Sequence, residues 1–93
     1  MDIRQLTCFL AVAEELSFSR AAKRMHLAQS ALSRTIQQLE GEVGAPLFDR
    51  SKRAIRLTPC GVVLARDTEI LLERMDDMMR RARHAASGGT GEL

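Results

Sequence analysis

The sequence predicts a mainly α-helical chain: three helices with a short two-stranded ribbon, then one long helix. Three observations predict it. Apolar residues recur in steps of three and four through four separate stretches, the period of a helix with one buried face. Alternation with a period of two occurs once, around residues 47–58. The apolar complement is Leu, Ile, Val, Ala and Met with only three aromatics, all Phe, which suits packed helices.

The first helix is expected over about residues 3–16. Asp2 can cap it, and Gln5 stands at the reciprocal position of a capping box. Its buried stripe reads Ile3, Leu6, Phe9, Leu10, Ala13 and Leu16, with Glu14 and Glu15 towards water. A second, shorter helix is expected over residues 20–26, with Ser19 as cap and Phe18 stapled back onto it. Ala21 and Ala22 are small enough for a neighbouring helix to come close. His26, Leu27 and Ala28 make a tight turn.

The third helix opens with AQSALSRTIQQLE. Leu32, Ile36, Leu39 and Val43 trace one apolar stripe. The opposite face carries Ser30, Ser33, Arg34 and Gln37 rather than the Lys and Glu usual on a solvated helix, and looks made to be read by hydrogen bonds. Two short helices joined by a tight turn, the second with one buried and one polar face, describe a helix-turn-helix. Gly41 and Gly44 loosen and end the helix, and Pro46 forbids its continuation.

Residues 47–58, LFDRSKRAIRLT, predict a two-stranded hairpin with a basic tip, a wing that must lean on the helices for support. Thr58 and Pro59 are a good cap and first residue for the last helix. That helix can reach residue 86, roughly 40 Å at 1.5 Å per residue. Leu64, Thr68, Leu71, Met75, Met78 and Ala82 form a heptad seam with one polar interruption. Asp76 with Arg80, and Asp77 with Arg81, are favourable pairs four residues apart. So long a helix cannot bury its seam on so small a head, so a second copy or another domain is expected along Leu64, Leu71, Met75, Met78 and Ala82. The closing SGGTGEL is flexible by composition. The division is thus 1–58, a winged helix-turn-helix; 59–86, a linker and dimerisation helix; and 87–93, a hinge.

Net charge is only +2, but it is unevenly spread. Between Arg20 and Arg56 eight Lys and Arg stand against three acids, a local patch that attracts polyanions. The two cysteines, Cys8 and Cys60, are far apart and outside any ligand spacing, so neither a metal site nor a disulfide framework is expected. No apolar run is long enough for a membrane span, and the N-terminus does not resemble a secretory signal, which makes the cytoplasm the default location. There is no Ser/His/Asp set, no paired carboxylates in a plausible cleft and no phosphate-cradling Gly loop, so no catalytic residue is assigned.

With these elements in place the chain resembles the N-terminal DNA-binding module of LysR-type transcriptional regulators over about residues 1–86. The landmarks are RQLTCFLAVAEELSFSRAAKRMHLAQSALSRTIQQLE, then GAPLFDR, then RLTPCG. They place the family's residues on Phe9, Ala21, Ala22, Gln29, Ser33, Arg34, Leu39, Glu40, Leu47, Phe48, Arg50, Leu57, Thr58 and Gly61. The chain departs from the family's habit at Ala28, often Ser or Thr; at Ser30, often Pro; and at Cys60, often Ala. The resemblance implies a linker helix paired with that of a second subunit, and a following effector-binding domain of periplasmic-binding-protein type. That domain would take the small-molecule effector; no cofactor is expected in these 93 residues.

The expected partner is double-stranded DNA carrying an interrupted inverted repeat, with helix 29–42 in the major groove and the wing, 49–54, on the backbone or minor groove. Homodimerisation through the linker helix, a tetramer at full length and RNA polymerase as a further partner belong to the same expectation. Gln29 and Arg34 are the main base readers, since Gln pairs twice with adenine and Arg twice with guanine. Ser30 and Ser33 let the helix lie deep, and Gln37 sits one turn on. Arg50, Lys52 and Arg53 are wing contacts. Arg20, Lys23, Arg24 and Thr35 are backbone candidates. The plainer alternatives are a helix start and a surface charge for Gln29 and Arg34, a solvated basic turn for the wing, and a carboxylate partner for Arg50. A different function class, a protein-interaction module with the long helix as its working part, would bind DNA weakly and without sequence preference.

Overall fold

The computed structural model describes residues 1–88. The expected hinge, 87–93, therefore lies mostly outside the described residues. The order is α1 (Ile3–Glu15), α2 (Phe18–Met25), α3 (Gln29–Val43), β1 (Phe48–Asp49), β2 (Arg56–Leu57) and α4 (Pro59–Ala86). This is the mainly α winged helix-turn-helix with a long last helix.

The capping box at α1 is present: the Asp2 carboxylate accepts from the Gln5 amide at 2.8 Å, and the Gln5 side chain accepts from the Asp2 amide at 3.1 Å. The helix ends one residue earlier than expected. Leu16 adopts a left-handed conformation, φ 50°, and its amide donates to the Val12 carbonyl at 2.7 Å. It is therefore an exposed C-cap rather than a stripe residue. The buried set is Leu6, Cys8, Phe9, Ala11 and Val12, wider than one stripe and lacking Ile3, because α1 is the central helix, packed by α2, α3 and α4.

The start of α2 differs from the expectation. Ser17, not Ser19, is the cap, and its hydroxyl accepts from the Arg20 amide at 3.1 Å. Phe18 is the first helical residue. Both serines flank Phe18, and the left-handed Leu16 brings the chain round early enough for the first of them to serve. Ala21 and Ala22 are buried at the crossing, and His26, at φ 57°, turns the chain into α3.

Leu32, Ile36 and Leu39 are fully buried, whereas Val43, in the last turn, is 40% exposed and lies beyond the edge of the core. α3 runs through Gly41 and ends at Gly44, whose φ of 86° suits glycine.

The ribbon pairs Phe48 with Leu57 and Asp49 with Arg56, antiparallel. Two residues per strand could not stand alone. Its root is fixed by fully buried Leu47, whose amide donates to Glu40 of α3 at 2.8 Å, and by Phe48, which meets Phe9 at a centroid distance of 5.5 Å.

Thr58 joins wing to α4. Its hydroxyl accepts from the Gly61 amide at 3.0 Å and donates to the Pro46 carbonyl at 2.8 Å, and its amide donates to the Leu47 carbonyl at 3.0 Å. Gly61 is buried at the same corner: a Cβ there would run into the Leu47 carbonyl and come within 2.9 Å of Leu57 Cδ2. The first turns of α4 pack on the head through Cys60, Leu64 and Ala65, and Thr68 is 2% exposed. Farther on, Ile70, Leu71, Met78 and Met79 face outwards. Among the described residues Asp77 pairs with Arg80, three residues on, rather than with Arg81, and Asp76 makes no ion pair.

Candidate nucleic-acid interface

α3 has two unlike faces. The inner one anchors it through Leu32, Ile36 and Leu39. On the outer one Gln29, Ser30, Arg34 and Gln37 are exposed and Ser33 is half-buried. Steps of three and four gather these five onto one side of the helix. Among the described residues their side chains make no hydrogen bond or ion pair; those on α3 are made by Thr35, Gln38, Glu40 and Glu42. Thr35 is drawn away from the outer face, because its hydroxyl donates back to the Ala31 carbonyl at 3.1 Å.

The start of α3 is also open. Ala28 stands at the N-cap and offers no side-chain acceptor. The first amides of α3 thus lack the partner a Ser or Thr would give, and they point out beside Gln29 with the positive end of the helix dipole.

The wing tip, residues 50–54, is exposed throughout. Asp49 holds its turn: one carboxylate oxygen accepts from the Ser51 hydroxyl at 2.6 Å and the Ser51 amide at 2.9 Å. The hydroxyl bond, then the amide bond, keeps the Asp49 carboxyl below its usual pKa. Lys52, Arg53 and Arg56 form no ion pair among the described residues. The Arg50 guanidinium carbon lies 4.4 Å from the centre of the Phe18 ring, so its partner is an aromatic face rather than a carboxylate. The sequence carries no signal for this contact beyond an aromatic at a helix start.

On α2 the picture reverses. Arg24 reaches Glu14 at 2.6 Å and Glu15 at 3.3 Å, and the bond from Glu14 raises its already high pKa further. Arg20 donates to the Glu15 carbonyl at 2.6 Å and lies 3.5 Å from its carboxylate. Lys23 is exposed and unpaired among the described residues. Glu14 and Glu15, read as water-facing, are thus the partners of two of the four backbone candidates.

On α4, Leu64 is half-buried on the head, Met75 is half-buried, and Leu71, Met78 and Ala82 are exposed. Cys8 is fully buried, which pushes its thiol pKa up, and Cys60 is half-buried; both are free. Among the described residues no cluster of His, Cys, Asp and Glu could hold a metal ion, and no helix is long and apolar enough to cross a membrane.

Residues 3–62 match the family model described as bacterial regulatory helix-turn-helix protein, lysR family. The chain is 47% identical over its whole length to the HTH-type transcriptional regulator TfdT of Cupriavidus pinatubonensis, and covers 41% of that protein. It is 41% identical to the regulator ClcR of Pseudomonas putida, covering 32% of it. The chain thus spans less than half the length of these curated relatives. Among solved structures, the crystal structure of a BenM_DBD/catB site 1 DNA complex superposes with a TM-score of 0.95 at 39% identity, covering all of both chains. That of a CbnR_DBD–DNA complex gives 0.85 at 41% identity, covering 92% of this chain and 99% of that one. With the helix-turn-helix, the wing and the long helix all in place, the chain belongs to the LysR family of bacterial regulatory helix-turn-helix proteins.

Proposed function

We propose that this chain is the sequence-reading module of a dimeric transcriptional regulator that binds double-stranded DNA at an interrupted inverted repeat. The observation that carries this is the outer face of α3: five polar side chains without partners, on a helix anchored by three fully buried ones. An idle row of hydrogen-bonding groups on a rigid helix is what a major groove requires. The two DNA complexes named above, of BenM_DBD and CbnR_DBD, support the reading.

In this reading Gln29 and Arg34 pair with base edges, Ser30 and Ser33 let the helix enter deeply, and Gln37 reaches the flank. The open amides at the start of α3 face a phosphate. Lys52 and Arg53 from the wing tip, with Arg50 beside them, take the backbone or minor groove. Arg20, Lys23, Arg24 and Thr35 contribute less, since three of them are already bonded within the chain.

Residues 1–58 form the reading head, and 59–86 join two subunits through Leu64, Leu71, Met75, Met78 and Ala82, the exposed members being the ones left for a partner helix. A hinge, 87–93, leads to an effector domain that takes a small molecule and builds a tetramer. The regulator works in the cytoplasm and meets RNA polymerase at the promoter.

Selection of bound duplexes from a random DNA pool tests the reading. The expected result is an inverted repeat with half-sites one helical turn or a multiple of it apart. Binding without any recovered motif, lost at moderate salt, would overturn it.

A further inference from the structure

We propose that Phe18 is a positioning residue for DNA binding: its ring presents the Arg50 guanidinium to the DNA backbone. The inference rests on the DNA-binding reading above and adds a residue outside the contact surface.

Three rings link the wing to the core. Phe9 is fully buried on α1. Phe48 on β1 meets it at 5.5 Å, tilted by 52°. Phe18, at the first position of α2, meets Phe48 edge-on at 5.8 Å and 67°. Arg50, the residue after β1, then lies over Phe18 at 4.4 Å. A long exposed side chain that would otherwise sample many rotamers is thereby biased towards one position before any ligand arrives.

The chemistry of the contact matters as much as its position. A carboxylate would hold Arg50 as firmly but would cancel its charge, which is the state of Arg24 between Glu14 and Glu15. An aromatic face attracts the guanidinium through the ring quadrupole and leaves the net positive charge in place. A phosphate then meets a cation that is already oriented and still charged, in the bidentate geometry that guanidinium favours. Because Phe18 belongs to α2, the same contact sets Arg50 relative to α2 and the turn that leads into α3.

The test compares the unmutated chain with Phe18→Leu, Phe18→Tyr, Arg50→Gln and the Phe18→Leu/Arg50→Gln pair on one mixed-sequence duplex over a range of salt. Phe18→Leu keeps an apolar filler and is expected to weaken binding about two- to fivefold, the range an exposed cation–π contact is worth. Its salt slope stays unchanged, whereas Arg50→Gln lowers the slope by about one. Phe18→Tyr keeps the ring and binds like the unmutated chain. In the Arg50→Gln background Phe18→Leu has no further effect. A full Phe18→Leu loss without Arg50 would mean that Phe18 only supports the fold, and would overturn the proposal; so would no loss at all. If Phe18→Leu does not fold, the Arg50 side-chain resonances of the unmutated chain decide. Upfield ring-current shifts retained on the duplex support the proposal, and their absence or their loss on binding overturns it. If the unmutated chain binds no duplex, the DNA reading itself fails and takes this inference with it; if it binds and the variants behave additively, only the role of Phe18 fails.

Discussion

The two helices of the motif, α2 and α3, carry similar groups and use them in opposite ways. Arg20 and Arg24 on α2 are bonded to Glu14 and Glu15 at the end of α1. Arg34 on α3, and Lys52 and Arg53 on the wing, touch no carboxylate among the described residues. Composition counts eight positive charges in this stretch, but the surface open to an anion is smaller. A basic residue adds to a binding surface only if the fold leaves it unpaired.

The largest effect is expected on the buried side of α3. Ile36→Ala empties a fully buried site and is expected to cost roughly 2–5 kcal/mol of stability, read by thermal or denaturant unfolding. On the outer face Arg34→Ala should leave unfolding within about 0.5 kcal/mol, as for an unpaired surface group. It should instead lose about 1–3 kcal/mol of discrimination at a single base position, read by binding to single-base operator variants. Unchanged affinity and preference in that variant would mean that the outer face of α3 is not the reading face.

Wing substitutions should act without regard to sequence. Lys52→Ala and Arg53→Ala are each expected to weaken all duplexes alike and to lower the slope of log K against log salt by about one. Arg24→Ala sharpens the contrast with α2. It removes one cation as Arg53→Ala does, yet the salt slope should hold, with at most about 1 kcal/mol lost from stability as for an exposed ion pair. An equal drop in slope for both variants would mean that DNA competes successfully with Glu14 and Glu15.

The smallest effect is one of pH. The Asp49 carboxyl is held below its ordinary pKa by Ser51, so the folded turn binds its proton less readily than the unfolded chain does. The turn's extra stability is present above the usual carboxylate range and is lost as pH falls through the lowered value. The Ser51 amide resonance, followed by NMR on acidification, should report that loss while the α3 amides stay unchanged.

Much of this was legible in the residues. The stripe Leu32, Ile36, Leu39 gave α3 and, by opposition, its exposed polar face. Thr58-Pro59 located the start of α4, and Asp2 with Gln5 the start of α1. Boundaries set by backbone conformation were not legible. Nothing marks Leu16 as left-handed, so the cap of α2 shifted from Ser19 to Ser17. The side-chain partners of cations were equally hidden, because Glu14 to Arg24 depends on how α1 and α2 cross, and Phe18 to Arg50 on how the wing lies against α2. The seam of α4 was legible as a period but not in its allocation: Leu64 and Thr68 pack on the chain's own head, and the outward members of the seam begin only at Leu71.

The joint at Gly61 bears on a property that no single side chain controls. There α4 meets Leu47 and Leu57 too closely for even a methyl group, and three hydrogen bonds of Thr58 clamp the same corner. A joint with so little slack leaves the head little freedom to swivel on its shaft. Each base pair inserted between two half-sites rotates one about the DNA axis by roughly a tenth of a turn. Two heads borne on a shared pair of shafts would have to absorb that rotation by twisting the DNA or by letting go. Occupancy should therefore rise and fall with the angular phase of the half-sites, and a looser corner would blur that dependence.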